Sequence, residues 1–330
     1  MWIKCQFFVF LSHLFRKKPI IAHRAGNGIQ HQQVLLNRMN SPVPEKRYDL
    51  HCHSTASDGE LTPTELVAYA AGCGIDVLAL TDHDDLSGLA EAARVARQHS
   101  IEFVTGVEIS TTWNKQLVHI VGLNFDPGNS SLRAGLEKLR QERESRGEKI
   151  AARLEKRGIP DALAGARRFA NGQILSRTHF ARYLVEAGYS KNANDAFKRH
   201  LGDGKPANVA GQWAALEEAV AWITAAGGVA VIAHPARYRL SATKLRRLIE
   251  EFKCCGGQGI EVVSGTQDNN DTRNMAEYAR RYDLYASVGS DYHGPSQTWS
   301  GMGKQPPLPS QCVPVWRLWE SPAIGSAATA

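Results

Sequence analysis

The chain has 330 residues, 43% of them hydrophobic and 22% charged, which is typical of a soluble globular protein with roughly two domains. This composition excludes collagen-like, coiled-coil and disordered proteins, and no apolar run approaches the ~20 residues of a membrane span. The formal net charge of +6 comes from the first 46 residues, which hold seven basic residues and one acidic residue. The remainder of the chain is therefore neutral.

Residues 1–46 show no helical or strand period, and they end in a Pro-rich turn before Arg47. We predict a disordered extension, or alternatively that translation starts at Met39. The apolar run 7–11 precedes its basic cluster, which is the reverse of a secretory signal. Six cysteines without a CxxC pair are typical of reduced thiols, so a cytoplasmic protein is predicted.

From Arg47 onwards, short apolar segments alternate with amphipathic ones, as in a βα repeat. The predicted elements are strand 48–52, helix 63–73, strand 76–80, helix 87–99, strands 102–108 and 117–123, helix 215–227, strand 229–233, helix 243–253, strand 259–263, helix 269–282 and strand 285–288. Residues 130–210 have helical patterns only. The sequence thus predicts a mainly parallel α/β sheet or barrel in two parts, 47–129 and 211–320, with an inserted helical domain at 130–210 and a flexible tail at 321–330.

The predicted insertion is positively charged within an otherwise neutral chain. From Arg133 to Arg182 there are 13 basic and six acidic residues. We expect something anionic to approach this segment. The alternative is a solvent-exposed helix over about 131–157, in which Glu and Arg side chains pair one turn apart.

Six histidines lie in strands or just beyond the predicted ends of strands: His51, His53, His83, His119, His234 and His293. The carboxyl ends of parallel strands converge on one face, so these side chains are expected to meet. An isolated histidine is more often a hydrogen-bonded structural residue than a ligand. His51 and His53 differ, because residues two apart on an extended chain point to the same side and can grip a metal together.

Three carboxylates accompany these histidines: Asp58, Glu108 and Asp291. Glu108 interrupts an apolar strand, where an unpaired carboxylate is costly unless a cation or hydrogen-bond donors compensate. Helix capping explains Asp84 or Asp85, but it does not explain Asp82 and His83. We therefore interpret the carboxylates as metal ligands.

Six histidines and three carboxylates exceed the three or four protein ligands of one catalytic zinc site. The sequence therefore predicts two or three metal ions. Imidazole and carboxylate ligands without thiolates favour Mn²⁺, Fe²⁺ or Zn²⁺. Clustered divalent ions activate water and clamp phosphate oxygens, so the predicted chemistry is phosphate-ester hydrolysis.

These motifs resemble those of the PHP (polymerase and histidinol phosphatase) phosphoesterases. The matching segments are His51-x-His53, Ser57-Asp58-Gly59, Thr81-Asp82-His83-Asp84, Gly106-Val107-Glu108, His119, Ala233-His234-Pro235 and Ser290-Asp291-x-His293. The resemblance covers residues 47 to about 320. It implies a distorted (β/α)₇ barrel, an inserted helical cap and a site for three metal ions, usually Mn²⁺.

Three further stretches, 119–124, 179–182 and 234–238, are similar to a PHP subgroup of 5′→3′ exoribonucleases and 3′,5′-nucleoside bisphosphate phosphatases. The resemblance implies hydrolysis from the 5′ end of short, single-stranded, 5′-phosphorylated RNA, of nucleoside 3′,5′-bisphosphates, or of both. A metal-activated hydroxide would attack the phosphorus. Neither a membrane nor an obligate protein partner is expected.

The resemblance also implies a role for each motif residue. The first metal would be bound by His51, His53, Glu108 and Asp291, the second by Glu108, His119 and His234, and the third by Asp58, His83 and His293. Family members often carry His in place of Asp58, so a weaker or more Mn²⁺-selective third site is expected. Asp82 would orient its neighbours, and with His83, Glu108 and Asp291 it completes the predicted catalytic set.

Phosphate contacts are predicted for Arg177, His179 and Arg237, from their motifs and from the local positive charge, because Arg grips phosphate oxygens in a fork. Trp213, Tyr238 and Trp299 could stack on bases, although core packing is the favoured role for each.

Three alternative functions stay open. An amidohydrolase or deaminase also begins with His-x-His on a barrel strand, but Glu108 and the third ligand set argue against it. A histidinol-phosphate-type phosphatase would act on a small monoester without a nucleotide. A scaffold that only binds metal or RNA would usually have broken ligand positions, and none is broken here.

Overall fold

A computed structural model describes residues 46–170, 174–238, 240–265, 267–296 and 301–320. Apart from Lys46, the predicted extension at 1–46 lies outside the described residues, as do the predicted tail at 321–330 and Trp299. The described residues form one compact unit. Among the described helices, none has the length and apolar character needed to cross a membrane.

Eight strands in the described residues form one sheet, rolled into a nearly closed barrel. They are β1 (Tyr48–Asp49), β2 (Val77–Leu80), β3 (Glu102–Trp113), β4 (Gln116–Leu123), β5 (Ala214–Ala215), β6 (Val229–Ile232), β7 (Gly259–Ser264) and β8 (Tyr285–Gly289). Seven follow one another around the barrel in the order β1, β2, β3, β4, β6, β7, β8, and β5 pairs with β3. All seven predicted strands are confirmed, whereas the short β5 was not expected.

The barrel closes where the segment after β1 meets the segment after β8. Asp291 N donates to His51 O at 2.7 Å, and His53 N donates to Tyr292 O at 2.9 Å. Two segments that carry predicted metal ligands therefore run side by side, although about 240 residues separate them in sequence.

The pairing is not wholly parallel, because β4 runs antiparallel to both of its neighbours, β3 and β6. A tight turn joins β3 to β4 through Asn114 and Lys115, both with positive φ (47° and 63°), as a two-residue hairpin turn requires. This hairpin extends β3 beyond the predicted 102–108. Its register pairs Ser110 with His119, which brings His119 to the same end of the barrel as Glu108.

Nine helices accompany the strands in the described residues. They are α1 (Pro63–Gly72), α2 (Leu89–Gln98), α3 (Ser130–Glu155), α4 (Ala162–Arg167), α5 (Arg177–Glu186), α6 (Ala193–Ala196), α7 (Leu216–Ala225), α8 (Ala242–Cys254) and α9 (Asn269–Arg281). The start of α1 shows why the sequence is helical there: Thr62 and Glu65 form a capping box, and Pro63 occupies the first turn.

Helices α3 to α6 lie between β4 and β5 and share a buried apolar cluster of their own, which includes Ile150, Leu154, Phe180 and Leu184. The helical content expected for 130–210 is thus present. The limits of a separate inserted domain stay a prediction.

A second apolar cluster fills the inside of the barrel and includes Val104, Val121, Val229 and Val231. Val104 and Glu108 are four residues apart on β3, so their side chains point to the same face. The barrel interior is therefore apolar at one end and charged at the other. Burying each valine contributes ~1.5–3 kcal/mol, which helps to offset the cost of the buried charges.

The close approach of β8 to the segment after β1 depends on Gly289. A Cβ atom there would lie 2.3 Å from the His51 Cβ. We expect Gly289→Ala to lower the free energy of unfolding by about 1–3 kcal/mol, because the backbone must shift to relieve the overlap. Urea unfolding followed by circular dichroism measures this change.

Gly72→Ala is the matched control, because an added Cβ at this helical position meets no atom within 4 Å. We expect it to be neutral or stabilising by up to ~1 kcal/mol. Equal stabilities for the two variants would contradict the close approach.

Candidate metal centre

The structure brings all nine predicted metal ligands together at one end of the barrel. They follow β1 (His51, His53 and Asp58), follow β2 (His83), lie on β3 and β4 (Glu108 and His119), and follow β6 (His234) and β8 (Asp291 and His293). His119 reaches this end because β4 runs antiparallel, so its first half faces the carboxyl ends of the other strands.

The carboxylate of Glu108 is the centre of the cluster and is fully buried. Its Oε1 lies 2.7 Å from His119 Nδ1 and 2.8 Å from His234 Nε2. Its Oε2 lies 2.9 Å from His83 Nδ1. The same Oε2 is 3.3 Å from the Nε2 atoms of the two histidines that follow β1. One carboxylate thus contacts imidazoles from four strand ends.

Three groups of side chains have potential ligand atoms that all lie within 4.8 Å of one another. They are His51, His53, Glu108 and Asp291; His53, Asp58, His83 and His293; and His83, Glu108 and His119. The first group is the set predicted for the first metal. The second contains the set predicted for the third metal and adds His53. The last group shares Glu108 and His119 with the set predicted for the second metal, and His234 contacts Glu108 beside it.

Several buried polar atoms of the cluster have no well-directed hydrogen bond within the described residues: Asp58 Oδ1, His83 Nδ1, Glu108 Oε2 and His234 Nδ1, although His83 Nδ1 and Glu108 Oε2 lie 2.9 Å apart. Each unsatisfied buried polar atom costs ~1–3 kcal/mol, so their concentration at one place fits a binding site for cations. The donors are imidazole nitrogens and carboxylate oxygens, which suit first-row divalent metals. The cluster can therefore hold metal ions.

Burial raises the pKa of the Glu108, Asp58 and Asp291 carboxyls, but the surrounding histidines outweigh it and hold each pKa well below its ordinary value. The carboxylates are thus kept in the ionised form that binds cations. Burial lowers the pKa of His83 to about 4, which leaves a free electron pair on the ring. For His53, contacts with two of these carboxylates outweigh burial and raise the pKa to about 10, so metal binding there releases a proton.

Sequence reasoning missed Glu261, which is buried directly behind the cluster. Its Oε1 lies 2.6 Å from His51 Nδ1, and its Oε2 accepts a hydrogen bond from His234 N at 2.5 Å. A carboxylate on Nδ1 fixes the ring so that Nε2 faces the cluster. The signal was present in the sequence, because Glu261 interrupts the apolar strand β7 just as Glu108 interrupts β3.

Asp82 lies beside the cluster rather than on the cavity wall. It accepts hydrogen bonds from Ser54 N at 2.8 Å and from the Ser54 and Ser57 hydroxyls at 2.6 Å. Burial raises its pKa to about 6, and the charge of His53 and these hydrogen bonds limit the rise. Asp82 thus holds the loop that carries Asp58, which supports the orienting role predicted for it.

A cavity of about 370 Å³ lies above the cluster, and four arginines contribute to its walls: Arg143, Arg146, Arg177 and Arg237. Two of them, Arg177 and Arg237, carry predicted phosphate contacts, and Arg237 forms an ion pair with Asp291. His179 does not line the cavity among the described residues. It is 1% exposed, and its Nδ1 accepts a hydrogen bond from Ser176 N at 3.2 Å, in a capping box at the start of α5.

Sequence reasoning did not single out Arg143 and Arg146, two buried residues of α3. Arg143 donates to Asp84 Oδ2 at 2.7 Å and to Ser110 Oγ at 2.8 Å. Arg146 donates from Nε to Val209 O at 2.8 Å and forms no ion pair with a described carboxylate. Arg146 thus presents to the cavity a positive charge that no described carboxylate pairs with.

The guanidinium groups of Arg143 and Arg146 lie 5.1 and 5.4 Å from the centre of the Trp213 ring. Burial, together with the charges of Arg177 and Arg143, lowers the pKa of Arg146 to about 9. A buried cation in such surroundings is stabilised by any anion that enters the cavity. Tyr238, for which core packing was favoured over base stacking, packs against the main apolar core, and its hydroxyl accepts a hydrogen bond from His119 N at 2.8 Å.

Residues 49–253 match the family model described as PHP domain. The chain is 48% identical over 274 residues to a 3′,5′-nucleoside bisphosphate phosphatase of Chromobacterium violaceum, covering 83% of this chain and 96% of the relative. It is 48% identical over 271 residues to a 5′-3′ exoribonuclease of Haemophilus influenzae, covering 82% and 98%. A solved structure described as an amidohydrolase from Chromobacterium violaceum, with bound sulfate and no metal, superposes with a TM-score of 0.79. That match has 48% identity and covers 82% of this chain and 95% of the other.

The contact between Glu261 and His51 gives a prediction about metal affinity. Glu261→Gln keeps the side-chain shape but removes the negative charge that orients and polarises the ring. We expect divalent-metal affinity to fall about 10–100-fold while the circular dichroism spectrum stays unchanged. Calorimetric titration with Mn²⁺ measures the affinity. Glu277→Gln, at an exposed site on α9, is the control, and equal affinities for the two variants would contradict the role of Glu261.

Proposed function

The chain belongs to the PHP domain family, and we propose that it is a metal-dependent phosphoesterase acting on RNA and nucleotides. Its proposed substrates are short 5′-phosphorylated RNA, degraded from the 5′ end, and nucleoside 3′,5′-bisphosphates. The names of two relatives, each 48% identical over more than four fifths of the chain, support both substrates.

One observation carries the proposal: a single cavity places cation-binding side chains opposite arginines. The reacting phosphate would lie against the cluster around Glu108. Arg146 and Arg177 would contact its oxygens or those of a second phosphate, since guanidinium groups bind phosphate oxygens in pairs. Substrates with two phosphates close together, as in a bisphosphate or an RNA end, suit such a cavity.

We propose that the cluster holds three divalent metal ions, with Mn²⁺ favoured over Fe²⁺ and Zn²⁺. The ligand sets are His51, His53, Glu108 and Asp291; Glu108, His119 and His234; and Asp58, His83 and His293. Bound divalent ions would promote the ionisation of a water molecule and neutralise charge on the phosphate oxygens.

The protein side chains supply orientation and counter-charge. Arg237 forms an ion pair with Asp291. The residue proposed to contact phosphate is therefore oriented by a residue proposed to bind metal. Arg177 lies at the start of α5, and we propose that His179 acts indirectly, by fixing that helix start through Ser176. The leaving oxygen takes its proton from water or from a cavity histidine.

We also propose that the substrate RNA is single-stranded and that the protein works in the cytoplasm. The cavity lies between the barrel and helices α3 and α5, and we expect this position to admit a strand end rather than a duplex. The five described cysteines are free, which fits a reducing compartment.

The decisive test follows a 3′-labelled short RNA with a 5′-phosphate, and separately adenosine 3′,5′-bisphosphate, in the presence of Mn²⁺. We expect stepwise shortening of the RNA from its 5′ end and phosphate release from the bisphosphate, both abolished by a chelator. Histidinol phosphate serves as the nucleotide-free comparison. Turnover of that compound alone would replace this proposal with a small-monoester phosphatase, and turnover of none would favour a scaffold.

Two variants test the roles proposed for the cluster and the arginines. We expect Asp291→Ala to abolish turnover while the helical signal stays intact, because it removes a metal ligand. Arg177→Ala should raise KM or lower kcat by about 10²–10³-fold without loss of bound metal, because it removes only a counter-charge to the phosphate.

Steady-state kinetics of the purified variants measures kcat and KM, and metal analysis measures the bound metal. The matched control is Arg280→Ala, an exposed arginine on α9 that pairs with Glu277. Full activity in Asp291→Ala would disprove the metal assignment, and loss of metal from Arg177→Ala would disprove the separate role of that arginine.

A further inference from the structure

A second cavity, of about 760 Å³, adjoins the one above the metal cluster. The two cavities share six wall residues: Leu117, Arg146, Arg177, Phe197, Trp213 and Arg237. The second cavity therefore lies beside the first, towards the β3–β4 turn and the segment 197–211. The first cavity alone falls within the range of about 300–1,000 Å³ that is typical of small-molecule sites, so a mononucleotide does not need the second.

The second cavity is strongly basic. Its walls carry three lysines and three arginines, against the single carboxylate of Asp203. The arginines are shared with the first cavity, whereas Lys115, Lys198 and Lys205 belong to the second alone. We call this part the lysine groove. Asp203 lies 3.8 Å from Arg177 and is 98% exposed, so it offsets little of the charge.

The three lysines are exposed and form no ion pair with a carboxylate of the described residues. They come from separate places in the chain: the β3–β4 turn, the helical turn after α6, and the loop that follows it. Lysine carries a point charge on a flexible side chain. It therefore suits contacts along a phosphate backbone better than the recognition of a single phosphate in a fixed geometry. Their convergence on one groove is therefore a feature of the fold and not of one charged segment.

The helical turn after α6 is a π-helix, Phe197–Leu201, and it aims two consecutive residues at the groove. Phe197 has the Arg177 guanidinium 5.7 Å from its ring centre, and Lys198 stands beside it. Such π-turns are rare and occur frequently at functional sites. Aromatic and basic side chains alternating along a groove are typical of single-strand binding surfaces.

We propose that the lysine groove binds the sugar-phosphate backbone of the RNA nucleotides beyond the bond that is cleaved. The proposal rests on the proposed function, and it adds a site that makes the enzyme sensitive to RNA length. A 5′→3′ exonuclease must hold the strand on the 3′ side of the reacting phosphate, and the lysine groove is the basic continuation of the reacting cavity. Nucleoside bisphosphates end before they reach it.

The test compares the full chain with the triple variant Lys115→Ala, Lys198→Ala, Lys205→Ala. The probe is a 3′-fluorescein-labelled oligouridylate of about eight nucleotides with a 5′-phosphate, within the usual range for single-strand sites. Fluorescence anisotropy with a chelator present measures RNA binding without turnover. We expect the variant to bind about tenfold more weakly. The slope of log Kd against log salt concentration should fall by about 0.7 for each phosphate that the lysines no longer neutralise.

The matched control replaces three exposed lysines that line neither cavity, Lys138, Lys244 and Lys304, with alanine. It removes the same net charge, so weaker RNA binding confined to the groove variant separates a local site from general attraction. Adenosine 3′,5′-bisphosphate hydrolysis with Mn²⁺ should stay within about twofold of the unmodified chain in both variants, because this substrate does not reach the groove.

Four results would overturn the lysine groove: no RNA binding by the unmodified chain, equally weakened RNA binding in the groove and control variants, a loss of bisphosphate hydrolysis in the groove variant as large as its loss of RNA binding, or equally fast RNA shortening with and without the lysines. The binding readout does not depend on catalysis. A protein that binds RNA through these lysines but hydrolyses neither substrate would contradict the proposed function and leave the groove standing. A protein that shortens RNA equally well with and without the lysines would support the proposed function and contradict the groove.

Discussion

The buried carboxylate of Glu108 governs the arrangement of the side chains around it. An isolated carboxylate in an apolar barrel would cost several kcal/mol, and here imidazoles from four strand ends surround it. Those imidazoles are themselves buried or half-buried, so each needs a partner of its own. The partner of His51 is Glu261, which lies in the next layer of side chains outside the cluster.

The strand order of the barrel brings these partners to Glu108. The antiparallel direction of β4 places His119 beside it, and the hydrogen bonds that join the segments after β1 and β8 place His51 and Asp291 there. Helix α3 then adds two buried arginines above the cluster, one paired with Asp84 and one facing the cavity without a carboxylate. A site built for cations thus lies next to one that favours anions, and a phosphate ester satisfies both.

The strands, the helices around them and the identity of the cluster follow from the order of the amino acids alone. Apolar four-residue runs such as Val77–Leu80 are buried along their whole length, so their pattern can be read without a structure. Histidines and carboxylates placed at the ends of such runs have few structural explanations, which is why the nine clustered residues were identifiable. The PHP resemblance rested on those same residues.

Which side chains support the cluster and which face the substrate cavity follows only from the packing of the folded chain. Glu261 and Arg146 gain their importance from neighbours remote in sequence, and no local pattern records such contacts. His179 belongs to a motif but is buried in a helix cap, because burial depends on packing between elements. The lysine groove exists because a hairpin, a π-turn and a loop converge in space. Charge counted along a chain cannot show where charges meet.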